Sequence, residues 1–292
     1  MKLSKLYSQV LKFGAERDPR GKKSKISSYE DTAILFGDPD TEVKKILVGI
    51  DIEVPELLLA DRIRQQEGLD LVLSHHPEGK AYASLHKVMQ LQVAMLKGLG
   101  MAQGVAQKFL DERMREVERR VMPQNHTRPV DAARLLNMPF MCAHTPADNH
   151  VQKFITDLMR KRKPRRVADI VDILMEVPEY AQAEKNSAGP RIISGNPAKY
   201  AGLISVEMTG GTEGSAEIFG KLYKKGVRTL ICMHLGEEHF KKVKDANLNV
   251  VIAGHISSDN LGLNLLLDNI EKEQKERLQI ISCSGFTRVR RQ

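Results

Sequence analysis

A six-residue pattern, His-x-x-x-Asp-Asn, occurs twice in this chain, as His144-Thr-Pro-Ala-Asp148-Asn149 and as His255-Ile-Ser-Ser-Asp259-Asn260. Each copy follows a short apolar run, residues 138–143 and 249–254, so each sits where a buried strand ends. The surroundings repeat as well. In the first half, residues 46–50 read as a strand and Pro55 opens a helix with Leu57, Leu58, Ala60 and Ile63 on its apolar face. Gly68 ends that helix, and the strand at 69–73 stops at Ser74-His75-His76-Pro77. In the second half, residues 203–208 are a strand, Gly210-Gly211-Thr212-Glu213-Gly214 is a turn, and a helix carrying Ile218, Phe219 and Leu222 runs to Gly226. A strand at 228–233 then stops at His234, and a helix at 237–246 leads to the strand before His255. The pairs Leu136-Asn137 and Leu248-Asn249 precede the two final strands. Matching element order and matching histidine positions imply an internal duplication. The fold class is therefore α/β, as two repeats whose strand ends face one cleft. The expected division is a first repeat at 1–150, a basic connecting segment and linker at 151–200, and a second repeat at 201–292.

Composition restricts the partners. The apolar stretches are too short to cross a membrane and Met1-Lys-Leu-Ser-Lys is no secretory leader, so a cytoplasmic protein without membrane contact is expected. The three cysteines, Cys142, Cys232 and Cys283, are too few and odd in number for a disulfide framework and read as reduced core thiols. Cys142 and Cys232 each lie two residues before a histidine, on the same strand face. A net charge of +8 favours anionic partners without naming one, an anionic small-molecule substrate among them. The run from Arg160 to Arg166 carries six cations around Pro164, and Arg288, Arg290 and Arg291 crowd the other end of the chain. Nucleic-acid binding by that run is the weaker reading, against a helix end that Pro164 stops and whose cations complement the helix dipole. Residues 3–13 and 89–122 read as helix, 167–175 as strand or short helix, and 178–197 as a linker or mobile loop.

Four strand ends carry histidine: His75 with His76, His144, His234 and His255. A His and an Asp four positions apart share one side of a first helical turn. Three or four imidazoles with Asp148 and Asp259 exceed the needs of one catalytic zinc, so two divalent metal ions are expected, drawn from Zn, Fe, Mn or Co, with Asp148 as the bridge. Water on such ions becomes a hydroxide near neutral pH, and hydrolysis is the natural use of it. Gly210, Gly211, Thr212 and Gly214 form either an anion-binding loop of backbone amides or a plain tight turn. Asp51 reads as a cap for the helix opening at Pro55.

With Ser74-His75-His76-Pro77, His144-Thr145-Pro-Ala-Asp148 and Gly254-His255 followed by Asp259, the chain resembles the Nif-three-like (NGG-interacting factor three-like) dinuclear metal family, also labelled GTP cyclohydrolase I type two homologue. The likeness runs from about residue 45 to residue 269 with the motifs in the family's order. It implies an intertwined pair of α/β repeats, a two-metal site between them, and a homo-oligomer, typically a hexamer built from dimers. Carried over motif by motif, the metal ligands are His75, His76, Asp148, His255 and Asp259. The family's usual last acid is Glu, so Asp259 is one methylene shorter, and the family's Thr-Gly-acid stretch stands here as His234-Leu-Gly236-Glu237-Glu238. The leading functional expectation is a dinuclear-metal-dependent hydrolase of a nucleotide-like or phosphorylated small molecule. In it His144 or His234 acts as catalytic orienter or proton carrier. The alternative is a non-enzymatic metal-binding or regulatory scaffold.

Overall fold

The computed structural model describes residues 1–21, 24–275 and 277–291. Helix α1 (Leu3–Glu16) precedes strands β1 (Thr32–Phe36) and β2 (Lys45–Gly49), helix α2 (Val54–Glu67) and strand β3 (Leu71–Ser74). Helices α3 (Gly79–Ala83), α4 (Leu85–Val88), α5 (Leu91–Gly98), α6 (Gln103–Val121) and α7 (Arg128–Leu135) separate β3 from β4 (Phe140–Ala143). Helices α8 (Thr145–Arg162), α9 (Val167–Met175) and α10 (Pro178–Lys185) then lead to β5 (Arg191–Ser194) and β6 (Leu203–Glu207). A single 3-10 turn (Ala216–Ile218), α11 (Phe219–Lys224), β7 (Val227–Cys232), α12 (Glu237–Asp245), β8 (Asn249–Ile252), α13 (His255–Gln274) and β9 (Gln279–Ser282) complete the chain.

The duplication is written in the sheets. One sheet has the order β1-β4-β3-β2-β9 and the other β5-β8-β7-β6. In each, the first-named strand runs antiparallel to its neighbour while the others are parallel. Thus β1, β4, β3 and β2 correspond to β5, β8, β7 and β6. Both antiparallel edge strands also carry a bulge, between Ile34 and Phe36 and between Ile192 and Ser194, which bends each edge in the same place. The central parallel strands are buried on both faces, as crossover helices require, and so read as unbroken apolar runs such as Val72-Leu73 and Val250-Val251.

Two departures from the sequence expectations follow from local geometry. Asn137 and Asn247 are the left-handed residues that end α7 and α12, each followed by an N–H reaching back into the helix, Met138 to Ala133 O and Leu248 to Val243 O. Asn247, not Asn249, is therefore the partner of Asn137. Asn249 is buried and donates to Arg228 O at 3.1 Å. Residues 178–197 are not a mobile linker, because Pro178 starts α10 and β5 closes the edge of the second sheet.

The halves are intertwined. Strand β9 leaves the second half and pairs parallel with β2 in the first sheet. Met89, Val93, Ala106, Leu110 and Val117 of the first half share a core with Phe219, Leu222, Leu230 and Val243 of the second. A boundary at 150 falls inside α8, and β5 lies within 151–200 while pairing with β8. Among the described residues no helix is long and apolar enough to cross a membrane.

Helices α8 and α13, which begin within the two hexads, cross between the sheets. Gly262 makes that crossing close: a Cβ there would lie 2.6 Å from Ala147 O and 2.8 Å from Val151 Cγ2. Gly14 lets α1 approach the start of α8 in the same way, with Pro146 Cβ 2.7 Å from where its Cβ would be. Because a helix carbonyl cannot yield as a flexible side chain does, Gly262→Ala should push α13 off α8 and destabilise the fold by about 1–3 kcal/mol. Urea unfolding of the purified variant measures this, and unchanged stability would refute the tight crossing.

Candidate metal centre

The strand ends deliver their histidines to one volume. The backbone N–H groups of His75 and His76 donate to Gly49 O and Ile50 O, each at 2.9 Å, continuing the β2–β3 ladder past its last residue. Ser74 Oγ donates to His76 O at 2.7 Å and closes the turn. His144 and Gly254 cap α8 and α13, so Asp148 and Asp259 fall in or just beyond the first helical turns. Each hexad then behaves as its spacing requires: His144 Nε2 is 3.7 Å from Asp148 Oδ2, and His255 Nε2 is 3.5 Å from Asp259 Oδ2.

Between the repeats these atoms form two sets. His75 Nε2 lies 3.4 Å from both Asp148 Oδ1 and Asp259 Oδ1. His76 Nε2 lies 3.4 Å from Asp259 Oδ2, the oxygen that His255 also faces. Such distances exceed good hydrogen bonds. They match two ligand atoms about 2.1 Å from a common cation at a tetrahedral angle, which stand about 3.4 Å apart. The same atoms have no partner within the protein: both ring nitrogens of His75, Asp148 Oδ1 and both Asp259 oxygens are buried and unpaired. Unpaired buried carboxylate oxygens are costly, and a cation between them removes the cost. The overlapping groups His75-Asp148-Asp259, His76-His255-Asp259 and His75-His76-His144 each bring three ligand atoms close enough to hold a metal ion. Asp259 presents Oδ1 to His75 and Oδ2 to His76 and His255, while Asp148 presents Oδ1 to His75 and Oδ2 to His144.

Two carboxylates aim the rings from behind. Asp31 Oδ2 accepts from His144 Nδ1 at 2.8 Å and from Thr145 Oγ1 at 2.6 Å, and Asp51 Oδ1 accepts from His76 Nδ1 at 2.6 Å. Because each Nδ1–H donates to a carboxylate, the neutral ring presents its Nε2 lone pair to the cluster, the arrangement that orients histidine ligands. Asp51 is therefore not the cap of α2. Glu53 holds that place, in a reciprocal box with Glu56.

The remaining candidates sit around this core. The rings of His234 and His255 are 4.8 Å apart, but His234 is half exposed at the rim, its Nδ1 3.3 Å from Glu213 Oε1. In the glycine turn, Gly210 O and Thr212 O accept from the Gln92 side-chain amide at 2.9 and 2.7 Å. A Cβ at Gly210 or Gly214 would lie 2.7 Å from a Gln92 atom, and one at Gly211 2.8 Å from Val88 Cγ2. The turn's glycines thus serve close packing against α4 and α5. Cys142 and Cys232 are free and buried, outside these cation groups. In the basic run, Arg160 pairs with Asp157, Arg162 with Glu176 and Arg166 with Asp169. Arg288 pairs with Asp268 and Glu271, and Arg291 with Glu179.

The cluster demands positive charge. Burial opposes a proton on His75 and His76, but Asp259, with Asp148 and Asp51 respectively, outweighs it and lifts them to about 10 and about 9. Asp259 is driven far below the usual carboxylate range, against its burial, by His75, His76 and His255. His255 goes down, through burial and the neighbouring imidazoles.

Comparison with solved structures gives a NIF3 superfamily protein from Sphaerobacter thermophilus, with 26% identity and a TM-score of 0.77 over 95% of this chain and 97% of that one. Reduced HcgD from Methanocaldococcus jannaschii shares the fold at 15% identity and TM-score 0.58, over 97% of each chain. A protein from Thermus thermophilus does so at 13% and 0.53, also over 97% of each. No protein-family model and no curated protein matches the chain.

Two expectations follow. Asp31→Asn, which leaves His144 folded but misaimed, should weaken metal binding by about 10–100-fold, read by competition with a chelator. In the metal-free protein, protonated His75 and His76 supply the counter-charge. Their folded values lie above the ordinary 6.5, so the stabilisation is complete below about 6.5 and is lost as pH rises through about 9 to 10. Chelated protein should lose more melting temperature between pH 7 and 10 than metal-loaded protein, and equal losses would refute this.

Proposed function

From a chain that has the fold of the NIF3 superfamily over 95% of its length, we propose a dinuclear-metal-dependent hydrolase. His75, Asp148 and Asp259 would hold one ion, and His76, His255 and Asp259 the other, with His144 beside the first. The observation that carries this reading is Asp259, a buried carboxylate whose two unpaired oxygens face separate histidine sets. Divalent ions held there would lower the pKa of bound water and polarise a phosphoryl or carbonyl oxygen. Zn, Fe, Mn and Co all suit this mixed imidazole and carboxylate set.

The chain's own groups supply the rest. Asp31 and Asp51 fix the tautomers of His144 and His76, so neither ring has to reorient as charge develops. His234, at the rim and against Glu213, is placed to carry a proton between the site and solvent. A cavity of about 360 Å³ opens beside His144, Asp148, His255 and Asp259, which suits a small substrate whose anionic end meets the cations. A nucleotide-like or phosphorylated small molecule fits that division. The scaffold reading keeps the ligands but gives the cavity no task. We extend the proposal to a homo-oligomer, for which exposed Leu58 and Leu59 of α2 offer apolar surface; light scattering would test it.

Elemental analysis of metal-replete protein should give a metal-to-chain ratio near two for the wild type, and at most one for Asp259→Asn. Asp148→Asn should abolish turnover in a phosphoester and nucleotide panel. Fully loaded wild-type protein that turns over nothing in the panel would leave the scaffold reading standing.

A further inference from the structure

The cavity beside the cation ligands has a second end, built from other chemistry. Its walls are apolar: Met95 and Leu99 come from around α5, Phe109 from α6, Ile218 and Phe219 from the start of α11, and Met233 from the end of β7. The chain has 45 basic residues, yet no Lys or Arg among the described residues lines this space. Two carboxylates do at this end, Glu207 and Glu213.

These two acids differ in what they already hold. Glu213 Oε1 accepts from the Gly236 N–H at 2.5 Å and faces the His234 ring at 3.3 Å, and Oε2 lies 3.6 Å from His239 Nδ1. Glu207, at the end of β6, has one weak contact: Ser205 Oγ donates to its Oε1 at 3.4 Å. Ser205 is itself buried, and no other side chain or amide among the described residues donates to the Glu207 carboxyl. A carboxylate with free lone pairs in an apolar cavity calls for donors.

We propose that this end of the cavity receives a flat aromatic or heteroaromatic ring bearing adjacent N–H donors, amidine-like in its edge, with Glu207 accepting from it. The methionine, leucine and phenylalanine side chains cover the faces of such a ring, and two adjacent N–H groups match the two oxygens of one carboxylate. Burial holds the Glu207 carboxyl up, at about 7, the state of an acid short of donors. The inference names the non-reacting part of the substrate. That its other part reaches the cations rests on the metal-dependent reading; the ring site does not.

Calorimetric titration of benzamidine and of benzoate tests it, on metal-loaded and on chelated protein. Benzamidine should bind both forms, because metal loading occupies the carboxylates of Asp148 and Asp259 and leaves Glu207 as the acceptor. Benzoate should bind chelated protein at least tenfold more weakly. Glu207→Gln should weaken benzamidine at least tenfold, and Met95→Trp, which fills the cavity from α5, should abolish its binding while leaving the metal ratio unchanged. If Glu207→Gln lowers the melting temperature, Met95→Trp decides. Equal binding of benzoate to chelated protein, loss of benzamidine on metal loading, or wild-type binding by both variants overturns the proposal. Benzamidine binding in a chain that takes up no metal would overturn the metal reading alone, and two metals per chain without benzamidine binding would overturn the ring site alone.

Discussion

The crossing of α8 and α13 is the constraint on which the site depends. The two helices start from different sheets, and only the absence of a side chain at Gly262 lets its turn rest on the Ala147 carbonyl. That contact sits one residue before Asp148 and three after Asp259. It therefore sets how near two buried carboxylates come, and carboxylates this close and this dry need cations among them. The histidines can answer that need with lone pairs to a bound cation or with protons of their own. The charge of the cluster is thus a consequence of backbone packing.

The three repeated residues of the hexad divide the work. The histidines and aspartates face the cluster, while each asparagine holds a stretch of chain. Asn149 donates to Gly14 O at 3.2 Å and accepts from Thr209 Oγ1 at 2.8 Å, tying α1 to the end of β6. Asn260 donates to Gly285 O at 2.7 Å and accepts from the Thr287 N–H at 3.1 Å, tying down the segment after β9. The copies also differ: Asp148 meets His75 and His144, whereas Asp259 spans both histidine sets.

Much of this was legible in the residues. Parallel strands covered on both faces must be apolar throughout, so β2, β3, β7 and β8 announce themselves, and a strand that stops at His marks a sheet's ligand-bearing edge. The five residues carried by motif, His75, His76, Asp148, His255 and Asp259, converge in space. What was hidden depends on distance in the chain. Asp31 lies 113 residues from the ring it orients, and nothing in its own neighbourhood distinguishes it from a turn acid. Asp51 carried a local explanation, a helix cap, that was plausible by spacing and lost to Glu53 by geometry. Which carboxylate would bridge depends on which oxygen faces which ring: Asp148 reaches His75 and His144, and Asp259 reaches His75 and His76. The apolar face of α5 and α6 was visible, but not that it would cover the second repeat.

The return of β9 to the first sheet has a temporal meaning. As the chain is made, β2 has no neighbour on its outer side until residues 279–282 appear, more than two hundred residues later. The first repeat, though early in sequence, is thus the last sheet to be finished. Nascent protein passes through a long stage with an unpaired parallel edge, the kind of surface that recruits wrong partners. The duplicated half that looks self-sufficient in sequence is the one that must wait for its end.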